Sequence, residues 1–146
     1  MKKLTVPILA IALAALAAPA MAQEHYNEGS VWRVNYLNTK PGKFGDAQKD
    51  IREHFAKVYA DAKAQGVVLD YKVFLNATST GPNDWNIATA VLYKGYSALD
   101  GLAGKMDAIT LKHYGSAEAR TQAGAKRAEL WTTVSSALAR EISMKP

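Results

Sequence analysis

The chain has 146 residues, with 18 basic and 13 acidic side chains, a net charge of +5 and no cysteine. The missing thiols exclude disulfides, cysteine metal sites and thiol catalysis. The lysines are scattered, without the runs of five or more that mark a nucleic-acid or membrane-surface patch, so no nucleic-acid partner is expected.

Lys2 and Lys3 precede an apolar, alanine-rich run from Leu4 to Ala18, and Ala20-Met21-Ala22 follows. That order is what an export signal and its peptidase require, so residues 1–22 are read as a signal peptide and the mature chain is expected in the periplasm or secreted. Losing the two leader lysines would lower the net charge from +5 to +3. The remaining 23–146 suit one domain, with no later apolar run of the ~20 residues a bilayer span needs. No membrane association is expected after cleavage.

From Ser30 to Leu37, Trp32, Val34 and Tyr36 alternate with Val31, Arg33, Asn35 and Leu37, the period of a strand with two different faces. Pro41-Gly42 signals a turn. Phe44, Ala47, Ile51, Phe55, Val58 and Ala62 then recur at three- and four-residue steps, which predicts a helix ending at Gly66 in left-handed geometry. Period two returns over 67–76. A polar loop with Gly81-Pro82 leads to strand formers from Trp85 to Tyr93, and the short separation predicts a hairpin. Asn76-Ala77-Thr78 also matches a glycosylation sequon.

Ser97 with Asp100 three residues on resembles a capping box and opens a helical segment that Gly101 and Gly104 weaken. A further helix over about 116–134 shows a narrow stripe of Ala117, Thr121, Gly124, Ala128 and Trp131, small enough for close approach to a neighbour. Residues 136–144 fit either a strand or a continued helix. The strand is favoured because it completes a four-stranded sheet. The order β-α-β-β-α-β makes the chain α+β, a ferredoxin-like split βαβ with an antiparallel sheet covered by helices on one face.

Four segments carry a resemblance: Val31-Trp32-Arg33-Val34, the turn Lys40-Pro41-Gly42-Lys43-Phe44, the run Tyr93 to Leu102, and Leu138-Ala139-Arg140-Glu141-Ile142. Together they look like the dimeric α+β-barrel superfamily, which implies a homodimer with two sheets paired into a barrel and a space for a ligand between sheet and helices. Members include cofactor-independent monooxygenases, haem-degrading enzymes and stress-responsive proteins. Asn35 and Trp85 resemble the asparagine and tryptophan of the haem-degrading branch, but Gly95 stands where that branch places its axial histidine. The departure removes most of the support for haem, and no cofactor is expected.

Two histidines are candidate catalytic residues. His54 borders the apolar helix stripe one turn from Asp50, and an acid beside an imidazole fixes its tautomer, as a general base needs; a solvated helix edge is the alternative. His113, with Tyr114, precedes Gly115, where a helical region breaks beside a potential pocket. The three dispersed histidines offer no metal-binding spacing.

The candidate ligand-binding residues are Arg33, Asn35, Asp70, Lys72 and Trp85. If their face lines a cavity, the polar groups would orient a polar or anionic ligand end against an apolar wall. If it meets a second subunit, they are interface pairs. The function expected is an exported small-ligand-binding or stress-related domain for an apolar or aromatic molecule. The alternatives are a cofactor-independent monooxygenase-like enzyme, with His54 or His113 as base, and a structural subunit of an envelope complex.

Overall fold

The computed structural model describes residues 25–78 and 81–146; the expected leader lies outside them. The elements are β1 (Tyr26–Thr39), α1 (Phe44–Asp50), a π-helical turn (Ile51–Phe55), α2 (Ala56–Ala64), β2 (Asp70–Leu75) and β3 (Ile87–Tyr93). A 3₁₀ turn (Tyr96–Leu99), α3 (Leu102–Tyr114), α4 (Ala117–Leu130) and β4 (Trp131–Met144) complete the chain. The strands form one antiparallel sheet in the order β2-β3-β1-β4, the α+β, ferredoxin-like arrangement that the sequence predicts. The ambiguous tail is indeed a strand.

Register decides the faces. Arg33 pairs with Val91 on β3 and Leu138 on β4, and alternate residues point to opposite sides. Val31, Arg33, Asn35 and Leu37 of β1 therefore share the helix-covered side with Ile87, Thr89, Val91 and Tyr93 of β3, all four of which are buried. Trp32, Val34 and Tyr36 face the other way, beside Leu92 of β3 and Phe74 of β2.

The helical run over 44–64 buries Ala47, Ile51, Val58 and Ala62, as its periodicity predicts, while Phe44 is exposed. At its end Gly66 has φ of +71°, its N–H bonds to Lys63 O, and the Val67 N–H bonds to Ala62 O. These two bonds make a Schellman closure, which uses Val67 in the cap and delays β2 until Asp70.

Three expectations need correction. Ser97 does not cap a helix: its segment closes as the 3₁₀ turn, with the Asp100 N–H on Ser97 O at 3.2 Å, and α3 starts after left-handed Gly101. α4 ends at Leu130 because the β-branched run Thr132-Thr133-Val134 enters β4, while the Lys40 N–H and Nζ bond the Leu130 and Ala128 carbonyls. The small-residue stripe of α4 is also reversed. Ala117, Thr121, Gly124 and Ala128 are exposed, and a Cβ added to Gly124 would meet nothing within 4 Å. The partly covered face carries Ala119, Arg120, Ala123, Arg127 and Leu130 instead.

The apolar interior divides in two. One cluster centres on Val58, Ala62, Val68, Val91, Tyr93, Leu102 and Ile109. The other holds Leu37, Ala47, Ile51 and Ile87, with Leu130 and Trp131 against it. Phe55 packs on both.

Candidate functional site

A cavity of about 790 Å³ opens between the covered sheet face and the helices. Arg33, Asn35, Leu37, Thr89 and Tyr93 form its sheet side, and Trp131 and Thr133 of β4 extend it. The 44–64 helical run contributes Asp50, Ile51, His54, Phe55, Val58 and Tyr59. These are adjacent pairs repeated every four residues. In an α-helix a four-residue step overshoots one turn by about 40°. The π turn across Ile51–Phe55 lowers the rotation per residue, which keeps the pairs stacked toward the cavity.

The structure unites the two candidate histidines. His54 Nδ1 lies 2.9 Å from His113 Nε2, with the rings edge to face. One ring donates and the other accepts, because two N–H groups cannot share so short a gap. His54 lines the cavity and His113 stands behind it. Asp50 Oδ1 is 3.7 Å from His54 Nε2, and Asp50 Oδ2 accepts from Arg127 Nε at 3.0 Å. Arg127 also donates to the Tyr114 hydroxyl, whose ring is tilted against His54. Burial, and then the charges of His54, Lys57 and Arg127, lower the pKa of His113, with Asp61 opposing. The lowered value keeps His113 neutral near pH 7.

A second polar group lies on the sheet side. The Arg33 guanidinium sits 5.6 Å from the Tyr93 ring centroid and makes no ion pair or hydrogen bond among the described residues. Tyr93 is fully buried, and its hydroxyl has no hydrogen-bond partner. Burial pushes the Tyr93 pKa up to about 12; the neighbouring Tyr59 hydroxyl adds to the rise without completing a bond of full geometry, and Arg33 opposes it. Tyr59 is raised too, chiefly by burial. Asn35 Oδ1 accepts from Ser136 Oγ at 2.7 Å.

The remaining predicted ligand residues lie elsewhere. Asp70 and Lys72 sit on β2, which is separated from β1 by β3, and the register puts them on the opposite face from Arg33 and Asn35. Asp70 bonds Lys63 Nζ at 2.7 Å, and that bond followed by one from the Tyr71 N–H lowers its pKa. Lys72 Nζ lies 5.2 Å from the Trp32 ring centroid. Trp85 stands edge to face with Tyr36 at 5.3 Å. None of the three lines the cavity.

Sequence reasoning missed Tyr59, Tyr93, Arg120 and Arg127. The spacing of Arg120 and Arg127, two helical turns apart on one face, was an available signal. Among the described residues no group of three or more histidine or acidic side chains could hold a metal ion, and no helix is long and apolar enough to cross a membrane.

No family model matches the chain, and neither does any curated protein. It is similar to a solved dimeric protein of unknown function and ferredoxin-like fold from Bacteroides fragilis NCTC 9343, at 15% identity and a TM-score of 0.41, covering 80% of this chain and 97% of that one. It is also similar to a protein of Shewanella oneidensis, at 16% identity and a TM-score of 0.47, covering 82% of this chain and 97% of that one.

Proposed function

We propose that this protein is an exported, homodimeric binding domain that holds a small apolar or aromatic molecule between its sheet and helices. The observation that carries the reading is the cavity of about 790 Å³, where Phe55, Val58, Leu102, Met106 and Trp131 alternate with polar side chains such as Arg33, Asn35, Asp50 and His54. That volume suits a drug-sized ligand. Export rests on the basic, apolar and small-residue order of residues 1–22. Dimerisation rests on the open sheet face, where Trp32, Val34, Tyr36 and Leu92 lie beside a Phe74 that is 47% exposed. A second copy of that face would cover these side chains.

Native mass spectrometry of the full-length gene product, purified from the envelope of its own cells, tests all three parts. The expected species is a dimer of chains beginning at Gln23 with a reproducible added mass. A bare monomer that retains its first 22 residues would sink the reading.

The His54–His113 bond favours a second reading, in which His54 is the general base of a cofactor-independent oxygenase and Asn35 positions the substrate. Replacing His54 by alanine should then lower turnover of an identified substrate by ~10²-fold or more. A loss below twofold leaves the cluster with a structural role.

A further inference from the structure

We propose that Arg33 and the Tyr93 hydroxyl form the seat for an anionic group on the cavity's ligand, a carboxylate or sulfonate carried by an apolar or aromatic body. The proposal rests on the binding reading above and adds the charge of the ligand to it.

Two independent observations converge on this spot. Tyr93 is 0% exposed and lines the cavity, and its hydroxyl, beside that of Tyr59, completes no hydrogen bond of full geometry. Folding strips water from such a group, and native proteins seldom leave one uncompensated. Beside it, the partly buried Arg33 has no carboxylate. The other two cavity arginines are already engaged: Arg127 by Asp50 and Tyr114, and Arg120 by Asp107 at 2.5 Å and Thr110 at 3.0 Å. Among the described residues Arg33 is therefore the uncompensated cation of the cavity.

The neighbouring groups select the same chemistry. Ser136 occupies the Asn35 side-chain oxygen, which leaves the Asn35 amide N–H groups as donors two residues along the strand on the same face. The burial that raises the Tyr93 pKa keeps that hydroxyl protonated, hence a donor. A guanidinium, a phenol and an amide NH₂ all offer hydrogens, and an anion with several acceptor oxygens answers all three. A cationic ligand would be repelled by Arg33, and a neutral one would leave the guanidinium without its counter-charge.

The test pairs two dyes that fluoresce on burial, the monoanion 8-anilinonaphthalene-1-sulfonate and its neutral relative N-phenyl-1-naphthylamine. Wild-type protein should bind the sulfonate at least about tenfold more tightly, the ratio expected of a charge-assisted hydrogen bond. Arg33→Met should abolish that preference and leave the neutral dye within about twofold, Arg33→Lys should recover part of it, and Tyr93→Phe should weaken the sulfonate alone. Arg33→Met should also raise the Tm of the empty protein, because it removes an uncompensated charge; a residue with a structural role would lower it. Met106→Trp, which fills the cavity from α3, should displace both dyes while preserving the circular dichroism spectrum.

Equal affinity for the two dyes, or a sulfonate affinity untouched by Arg33→Met, overturns the anionic seat. If Met106→Trp still displaces the dyes in that case, the binding reading survives without it. Dyes that remain bound to folded Met106→Trp, or that never bind the wild type, overturn both.

Discussion

The imidazoles of His54 and His113, 59 residues apart in sequence, meet nitrogen to nitrogen at 2.9 Å. That contact joins the π turn, at its fourth residue, to the last turn of α3. Two short-range irregularities, a widened helical turn and the left-handed glycine that ends α3, thus stand at the two ends of one hydrogen bond.

The burial of His113 makes stability depend on pH with a defined sign. The pKa of His113 is lowered in the folded state, mainly by burial, so the unfolded chain binds the proton first as pH falls. The stabilisation is complete above the unfolded histidine value of about 6.5 and is lost as pH drops through the folded value. Urea denaturation of wild type and His113→Gln between pH 4.5 and 8 should show a constant difference above pH 7 that shrinks below pH 6.5. Parallel curves throughout would mean that His113 titrates as it does in the unfolded chain.

Arg127 links α4 to α1 through an Asp50 side chain only 13% exposed. Arg127→Met leaves that carboxylate without its main donor and should cost about 2 kcal/mol, between the values for exposed and fully buried pairs. Combining it with Asp50→Asn should show a coupling of about 1 kcal/mol in a double-mutant cycle. Strict additivity would mean that the pair contributes nothing to holding α4.

Two glycines should respond with opposite sign. Gly66 sits at φ of +71° with free space around it, so Gly66→Ala meets only backbone strain and should destabilise by about 1 kcal/mol. Gly124 lies inside exposed α4, also with free space, and Gly124→Ala should stabilise by up to about 1 kcal/mol. Thermal melts of both variants check the pair together, and shifts of the same sign would contradict the helix-end geometry.

Alkaline titration followed by phenolate absorbance should show seven tyrosines ionising unevenly. Tyr93 should ionise near pH 12 and Tyr59 late as well. Because the folded Tyr93 pKa exceeds the unfolded value of 10, its neutral form stabilises the fold fully below pH 10, and the contribution is lost as pH rises toward 12. Tyr93→Phe should remove the step near pH 12 and leave that of Tyr59; a titration of all seven near pH 10 would place Tyr93 in water.

The local pattern revealed what local physics determines. Alternation along β1, the stripe through Ala47, Ile51, Val58 and Ala62, and the Gly66 closure all depend on neighbours within a few residues. The faces of β2 could not be read that way. Asp70 and Lys72 are assigned relative to Arg33 only through the intervening register of β3, which no spacing within β2 encodes. α4 misled for another reason: its inward side is built on Arg120 and Arg127, and a search for apolar or small residues selects the exposed side. Of the proposed site residues, His54, His113, Arg33 and Asn35 were legible, while the two tyrosines looked like ordinary core aromatics.

The divided interior has a thermodynamic consequence. Among the described residues Phe55 alone packs on both apolar clusters, and the cavity lies where a continuous core would otherwise run. An occupant would supply the missing packing, so affinity and fold stability are two readings of one quantity. At a concentration a hundred times its dissociation constant, any true ligand must raise the unfolding free energy by about 2.7 kcal/mol. The melting point of this protein is therefore itself an assay for whether a given molecule binds it, usable before a single candidate has been named.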